Sequence, residues 1–172
     1  MNFPAYIVMY FIKESIKMDY VIRKYLMENP IPRPINITLT EKQCIGSYHS
    51  GIFWIDDLSS SRNLRHFTKV LNRKIFGNSY YRHQNRLKML FVREFSTRHH
   101  IHGIVERPLG IDDREFVDLI QGCWANTHWG YDHIHFEIPA TYDRETGWYA
   151  YILKHRTKLN ISDSIDWENT YL

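Results

Sequence analysis

Cysteine is scarce: the 172 residues include two, Cys44 and Cys123, far apart and without C-x-x-C spacing. That excludes a zinc ribbon and a disulfide framework, and it predicts reduced thiols in an intracellular protein. Long apolar runs are missing too. The longest uncharged one, Ala5 to Ile12, ends at Lys13-Glu14 and falls far short of a membrane span. No charged n-region or small-residue cleavage site surrounds it, so neither a secretory signal nor a membrane partner is expected. There is no P-loop, no internal repeat and no low-complexity tract. Nor is one sign of charge in large excess, since a net +3 is only mildly basic and decides little about partners.

What is present is an ordinary globular composition, 44% apolar and 24% charged, in a length that suits one domain with a proper core. Aromatics are plentiful, with 12 Tyr, 9 Phe and 5 Trp. Most serve a packed core, but aromatics beside cations are also what a surface for single-stranded nucleic acid needs.

Residues 1–34 read as an N-terminal extension. Tyr6–Ile12 fits either a strand or the start of a helix, and residues 13–28 carry a loose helical period. Asn29-Pro30-Ile31-Pro32-Arg33-Pro34 then makes a stiff extended connector. The main domain spans 35–158, and an acidic, aromatic tail covers 159–172. Ile35–Thr40 alternates as a half-buried strand with Thr38 and Thr40 on one face, and Gly46–Ile55 predicts another short strand. Asp57 and Ser59–Ser61 offer caps for a helix over roughly 60–76, closed by Gly77-Asn78. Its core face is Leu64, Phe67 and Leu71. Arg62, Arg65, Lys69 and Arg73 form a stripe that is either a solvated face or a phosphate contact. The loop 78–88 mixes Tyr80, Tyr81, Arg82 and Arg86, which suits DNA contact or a plain exposed turn. Asp112 with Glu115 caps a helix to about Asn126 that buries Phe116, Leu119, Ile120 and Cys123. Tyr131–Ile138 is the last strand and roughly Asp143–Lys158 the last helix. The order predicts an α+β fold, an antiparallel sheet of about five strands flanked by helices.

Two runs, Leu87–Phe95 and His99–Val105, flank Ser96-Thr97-Arg98 as a β-hairpin with a tight loop. His100 and His102 leave one face of its second strand, and a loop centred on Thr97 sets Glu94 opposite His100. The expected result is a metal site made of Glu94, His100 and His102 with open coordination positions. The alternative is a hydrogen-bonded structural group. Alternation sends His99 to the other face. A second His-x-His, His133 and His135, lacks an opposed acid; it lines a groove beside Thr38–Thr40 if its strand sits there.

In the last helix Lys154 falls about 60° round from Tyr151 and one turn on, with His155 about 40° to the other side. Tyr151 is thus a phenol with a cation within reach. A nearby ammonium favours the phenolate and offsets charge building on a phosphate.

Thr38-Leu39-Thr40, His100-Ile101-His102 and Tyr151-Ile152-Leu153-Lys154 fall in the order of three motifs. Over residues 35–158 the chain resembles the rolling-circle replication initiators of the HUH endonuclease superfamily. That resemblance implies a ferredoxin-like sheet and a metal-dependent nuclease that nicks single-stranded origin DNA, plain or presented in a hairpin. Tyr151 would become linked to the 5′ phosphate and free a 3′ hydroxyl, and Lys154 would assist it. Glu94, His100 and His102 would hold Mn²⁺ or Mg²⁺ to polarise the phosphate. Candidate DNA contacts, read from polarity, charge and aromatic content, are Thr38, Thr40, Arg62, Arg65, Lys69, Arg73, Tyr80, Tyr81, Arg82, Arg86 and His155. Implied partners are host or viral replication proteins such as a helicase or polymerase, in the cytoplasm of a cell carrying a plasmid, phage or virus. Two other readings stand beside it. One is a single-tyrosine HUH transposase, against which Lys154 argues, since those often carry an amide there. The other is a non-catalytic RRM-like module that stacks nucleotides on Trp54, Tyr80 and Tyr81.

Overall fold

The computed structural model describes residues 5–47, 49, 51–95, 98–139, 147–154 and 161–172, with the side chains of the first helix described from Ile16 onward. In chain order the elements are α1 (Ala5–Glu28), β1 (Pro34–Glu41), β2 (Cys44–Ser47), β3 (Gly51–Trp54), α2 (Asp57–Phe76), α3 (Ser79–Arg82), β4 (Met89–Phe95), β5 (His99–Glu106), α4 (Asp113–Ala125), β6 (Gly130–Glu137), α5 (Trp148–Ile152) and α6 (Ile161–Ser164). They fall into two compact units. One holds α1, α5 and α6; the other runs from Ile31 through β6 and includes Ile165–Leu172.

Alternation along β1 organises the second unit. Ile35, Ile37 and Leu39 turn to one side and are fully buried. The sheet order is β4-β5-β1-β6, with every pairing antiparallel. Across the core face lie α2, through Leu64, Phe67 and Leu71, and α4, through Phe116, Ile120 and Cys123. Trp124 fills the space between, edge-on to Phe67 at 5.5 Å. Its indole N–H donates to the Thr40 carbonyl at 2.9 Å and braces β1. The α+β class is as expected, with four strands in the main sheet and two more in a separate ribbon, β2–β3.

Several local expectations are corrected. Gly46–Ile55 is two strands, because Gly46 (φ 106°) and Gly51 (φ 84°) supply left-handed backbone and let the chain reverse between them. The cap of α2 is Asp56, whose carboxylate accepts from the Ser59 N–H at 2.7 Å, since its extended backbone suits the position before the first turn. Asp112 caps α4 as anticipated, accepting from the Arg114 N–H. The loop 78–88 contains the short helix α3. A helix also runs through Tyr6–Ile12 and residues 13–28 without a break. The last helix is far shorter than the expected 143–158. Gly147 is extended, α5 covers Trp148–Ile152 and Leu153 leaves it; Asp143 and residues 155–158 lie outside the described residues. In that unit Asp19 of α1, buried, accepts from the backbone N–H groups of Ile161 and Ser162. Among the described residues no helix is long and apolar enough to cross a membrane.

The middle of the sheet is tightly packed at Gly103, between Ile37 and Phe91 on the core face. A Cβ there would sit 2.8 Å from Ile37 Cγ1 and 2.9 Å from Phe91 Cε1. Gly103→Ala is expected to lose about 1–3 kcal/mol of unfolding free energy through overpacking. Urea denaturation checks it; an unchanged midpoint would contradict the packing described.

Candidate metal centre

Because Ile101, Gly103 and Val105 take the core face of β5, period two sends His100 and His102 to the opposite face, away from α2 and α4. The register of the hairpin is Glu94↔His100 and Phe95↔His99, as the loop length requires; Ser96 and Thr97 themselves lie outside the described residues. Glu94 therefore joins the two imidazoles. Its Oε2 is 3.3 Å from His102 Nε2 and 4.0 Å from His100 Nε2. The three donor atoms lie within 4.8 Å of one another.

The far side of each ring sets its chemistry. His100 Nδ1 lies 2.9 Å from the Arg98 carbonyl, which can only accept, so Nδ1 carries a proton and Nε2 is the nitrogen that the neutral ring would offer to a metal. His102 Nδ1 is 3.1 Å from Thr38 Oγ1, a hydroxyl able to accept in the same way. Two imidazoles, which ligate in their neutral form, and a carboxylate would form a borderline-to-hard donor set for a divalent cation, with positions left for oxygen ligands. His102 and Glu94 are only 4% and 9% exposed while the His100 side chain is 24% exposed, so the group opens outward past His100. Glu94, His100 and His102 can hold a metal ion.

His99 points to the other face as expected, its ring 4.2 Å from that of Phe95. Burial pushes its pKa down, against the pull of Asp57 and Asp56. His133 and His135 stand on β6, with His135 paired to Thr38, so both histidine pairs flank the threonines on one sheet face. They are exposed, and among the described residues no acid completes a second three-ligand group. Thr38 orients a ligand ring, and Thr40 donates to the His133 carbonyl.

The other anticipated contacts are elsewhere. Arg62, Arg65, Lys69 and Arg73 are exposed on α2, in the layer behind the sheet, and Arg65 is paired with Glu168. Tyr80, Tyr81 and Arg82 belong to α3, at the Met89 end of β4. Glu94 is roughly 17 Å away along that strand. Arg86 is engaged there by the Tyr80 and Tyr171 rings, at 5.5 and 4.7 Å. Tyr151 is in the unit of α1. The residue is 45% exposed, and its ring lies 5.2 Å from that of Trp148 and carries the Lys154 ammonium 3.9 Å from its centroid. The Tyr151–Lys154 pairing thus forms; His155 lies outside the described residues.

Sequence reasoning missed the pocket beside the metal group. About 410 Å³ in volume, it is lined by Thr38, Thr40, Lys42, Arg98, His100 and Tyr131, among others. Tyr131 was detectable: it precedes His133 by two residues on a strand. Glu41 was not. A β-bulge between Leu39 and Glu41 resets the register, and the carboxyl ends up 5% exposed. Ser60 donates to its Oε2 at 2.8 Å, and among the described residues Oε1 has no hydrogen-bond partner. Burial pushes its pKa up to about 7, partly offset by the Ser60 hydrogen bond and Arg93.

Replacing Glu94 or His100 with Ala should abolish tight Mn²⁺ binding in calorimetry, and Thr38→Val should weaken it roughly 10–100-fold through loss of ring orientation. Parent-like affinity in the first two would refute the centre. Protons compete for the imidazoles, so binding weakens as pH falls. Glu41 acts on stability instead. Its folded pKa is raised from 4.5 to about 7, so its contribution is complete below pH 4.5 and is lost as pH rises towards 7. The loss is on the order of 3 kcal/mol. Glu41→Gln should flatten that slope in denaturation curves taken from pH 4 to 8.

No protein-family model, curated protein or solved structure matches the chain.

Proposed function

We propose that this protein is a metal-dependent endonuclease that nicks and rejoins single-stranded DNA through a covalent phosphotyrosine, in the manner of HUH replication initiators acting on a plasmid, phage or viral origin. The observation that carries the reading is the convergence of Glu94 Oε2 with the Nε2 atoms of His100 and His102, both rings tied back through Nδ1. Bound there, Mn²⁺ or Mg²⁺ would polarise non-bridging phosphate oxygens; imidazole donors favour Mn²⁺ in strength, and abundance favours Mg²⁺.

The chain's own part is as follows. Glu94, His100 and His102 hold the cation, and Thr38 and the Arg98 carbonyl keep the two rings turned towards it. Tyr151 is the nucleophile. Its Oη forms a bond to phosphorus as the bond from phosphorus to the 3′ oxygen breaks. The phenolic proton is released to solvent, and the departing oxygen takes up a proton to become a 3′ hydroxyl. Lys154, over the Tyr151 ring, offsets the negative charge that gathers there. One phosphodiester replaces another, so the step runs backward as readily and strands rejoin. A 3′ hydroxyl suits a polymerase, and unwinding would fall to a helicase partner.

Labelled single-stranded oligonucleotides from candidate origins, incubated with Mn²⁺, should give a protein–DNA adduct stable to denaturing gels. Tyr151→Phe should yield none, EDTA should abolish it, and Glu94→Ala should slow it roughly a hundredfold or more. Retention of the adduct in Tyr151→Phe would sink the nucleophile assignment. Binding without any adduct would favour the non-catalytic module.

A further inference from the structure

The ribbon β2–β3 leaves its apolar side chains open. Ile52, Phe53 and Trp54 are 57%, 61% and 71% exposed, and Leu58, just beyond in α2, is 56% exposed. Consecutive large side chains this open mark a contact surface. Cross-strand register sets Trp54 beside Cys44 and Ile52 beside Gly46 on one face, and Phe53 beside Ile45 on the other. Both faces of the ribbon therefore present flat or apolar surface.

The root of the ribbon is bonded to the metal hairpin. Gln43, the residue before β2, accepts from the His99 N–H at 2.8 Å and donates to the His99 carbonyl at 3.3 Å. The Ile55 N–H, at the end of β3, donates to the Gln43 carbonyl. His99 is followed directly by the metal ligand His100. The 410 Å³ pocket is lined by both His100 and Gln43, at the root of the ribbon, with Lys42 and Arg98 as its cations and the buried Glu41 as its acid. From Lys42 to Ile55 the sequence has no acid, and the next one, Asp56, is committed as the cap of α2. Cations next to the metal group, followed by exposed aromatic faces, match a phosphate backbone whose bases need a platform.

We propose that the β2–β3 ribbon is a base-stacking arm. A single strand of nucleic acid leaving the metal group passes Lys42 and Arg98 and lays a base on Trp54, on the face of the ribbon that also carries Ile52. This rests on the single-strand reading above and deepens it, adding a binding surface separate from the reacting residues.

The test is binding without metal. Fluorescence anisotropy in EDTA compares labelled oligothymidylates of about four and about twelve residues, short and long relative to single-strand sites. Trp54→Ala is expected to weaken the longer strand roughly tenfold and to leave the shorter one unchanged, Phe53→Ala on the opposite face is expected to change neither, and Trp54→Phe keeps most of the affinity. Thermal denaturation of each variant verifies folding, which such exposed positions should not disturb. Parent-like affinity of Trp54→Ala overturns the proposal, as does failure of the parent to prefer the longer strand. A fall in oligomeric state on Trp54→Ala, with DNA affinity intact, overturns it in favour of a second copy. Failure of the nuclease reading looks different: ribbon-dependent binding with no tyrosine adduct would remove that reading and leave the arm.

Discussion

A slip of one residue between β4 and β5 would turn Glu94 to the helix-covered face and leave His100 and His102 with no acid opposite them. That register is the constraint on which the candidate centre depends, and the core enforces it. Met89, Phe91, Ile101 and Val105 all share the buried cluster with α2 and α4. Gly103 allows Ile37 and Phe91 to close over the middle of β5. The tail adds a further hold on β4, through bridges from Tyr171 to Met89 and from Ile165 to Val92. Packing on one face of the sheet thus sets the chemistry available on the other.

How much of this was legible depended on how local the cause was. The hairpin needed only a loop length and a period of two, so Glu94 opposite His100, and His99 facing away, followed from the sequence alone. The core stripes of α2 and α4 were visible for the same reason. What failed was non-local or set by backbone detail. Two glycines at positive φ split one expected strand into a ribbon, and an extended Gly147 shortened the last helix. The bulge that buries Glu41, the Trp124 brace on β1 and the Gln43 clamp on His99 all come from chain segments brought together by the fold. Residue identity hints at none of them.

The placement of charge differs from what clustering along the sequence suggests. The cations most conspicuous in the sequence lie on α2, behind the sheet, or on α3, at the far end of β4. The cations beside the metal group are Lys42 and Arg98, single residues in unremarkable surroundings. Clustering along the chain was a poor guide because the sheet has two faces, and only one carries the two His-x-His pairs. Both His-x-His pairs border the Thr38–Thr40 row on this face.

The central claim is that Glu94, His100 and His102 hold a metal that a DNA phosphate can reach. Mn²⁺ electron paramagnetic resonance with hyperfine detection, on the full chain with and without a single-stranded oligonucleotide, addresses it directly. The account predicts couplings to imidazole nitrogen that vanish in a His100→Ala, His102→Ala double variant, and a phosphorus coupling that arises when the strand is added. Mn²⁺ ligated by water alone, or nitrogen couplings unchanged in that variant, would contradict it.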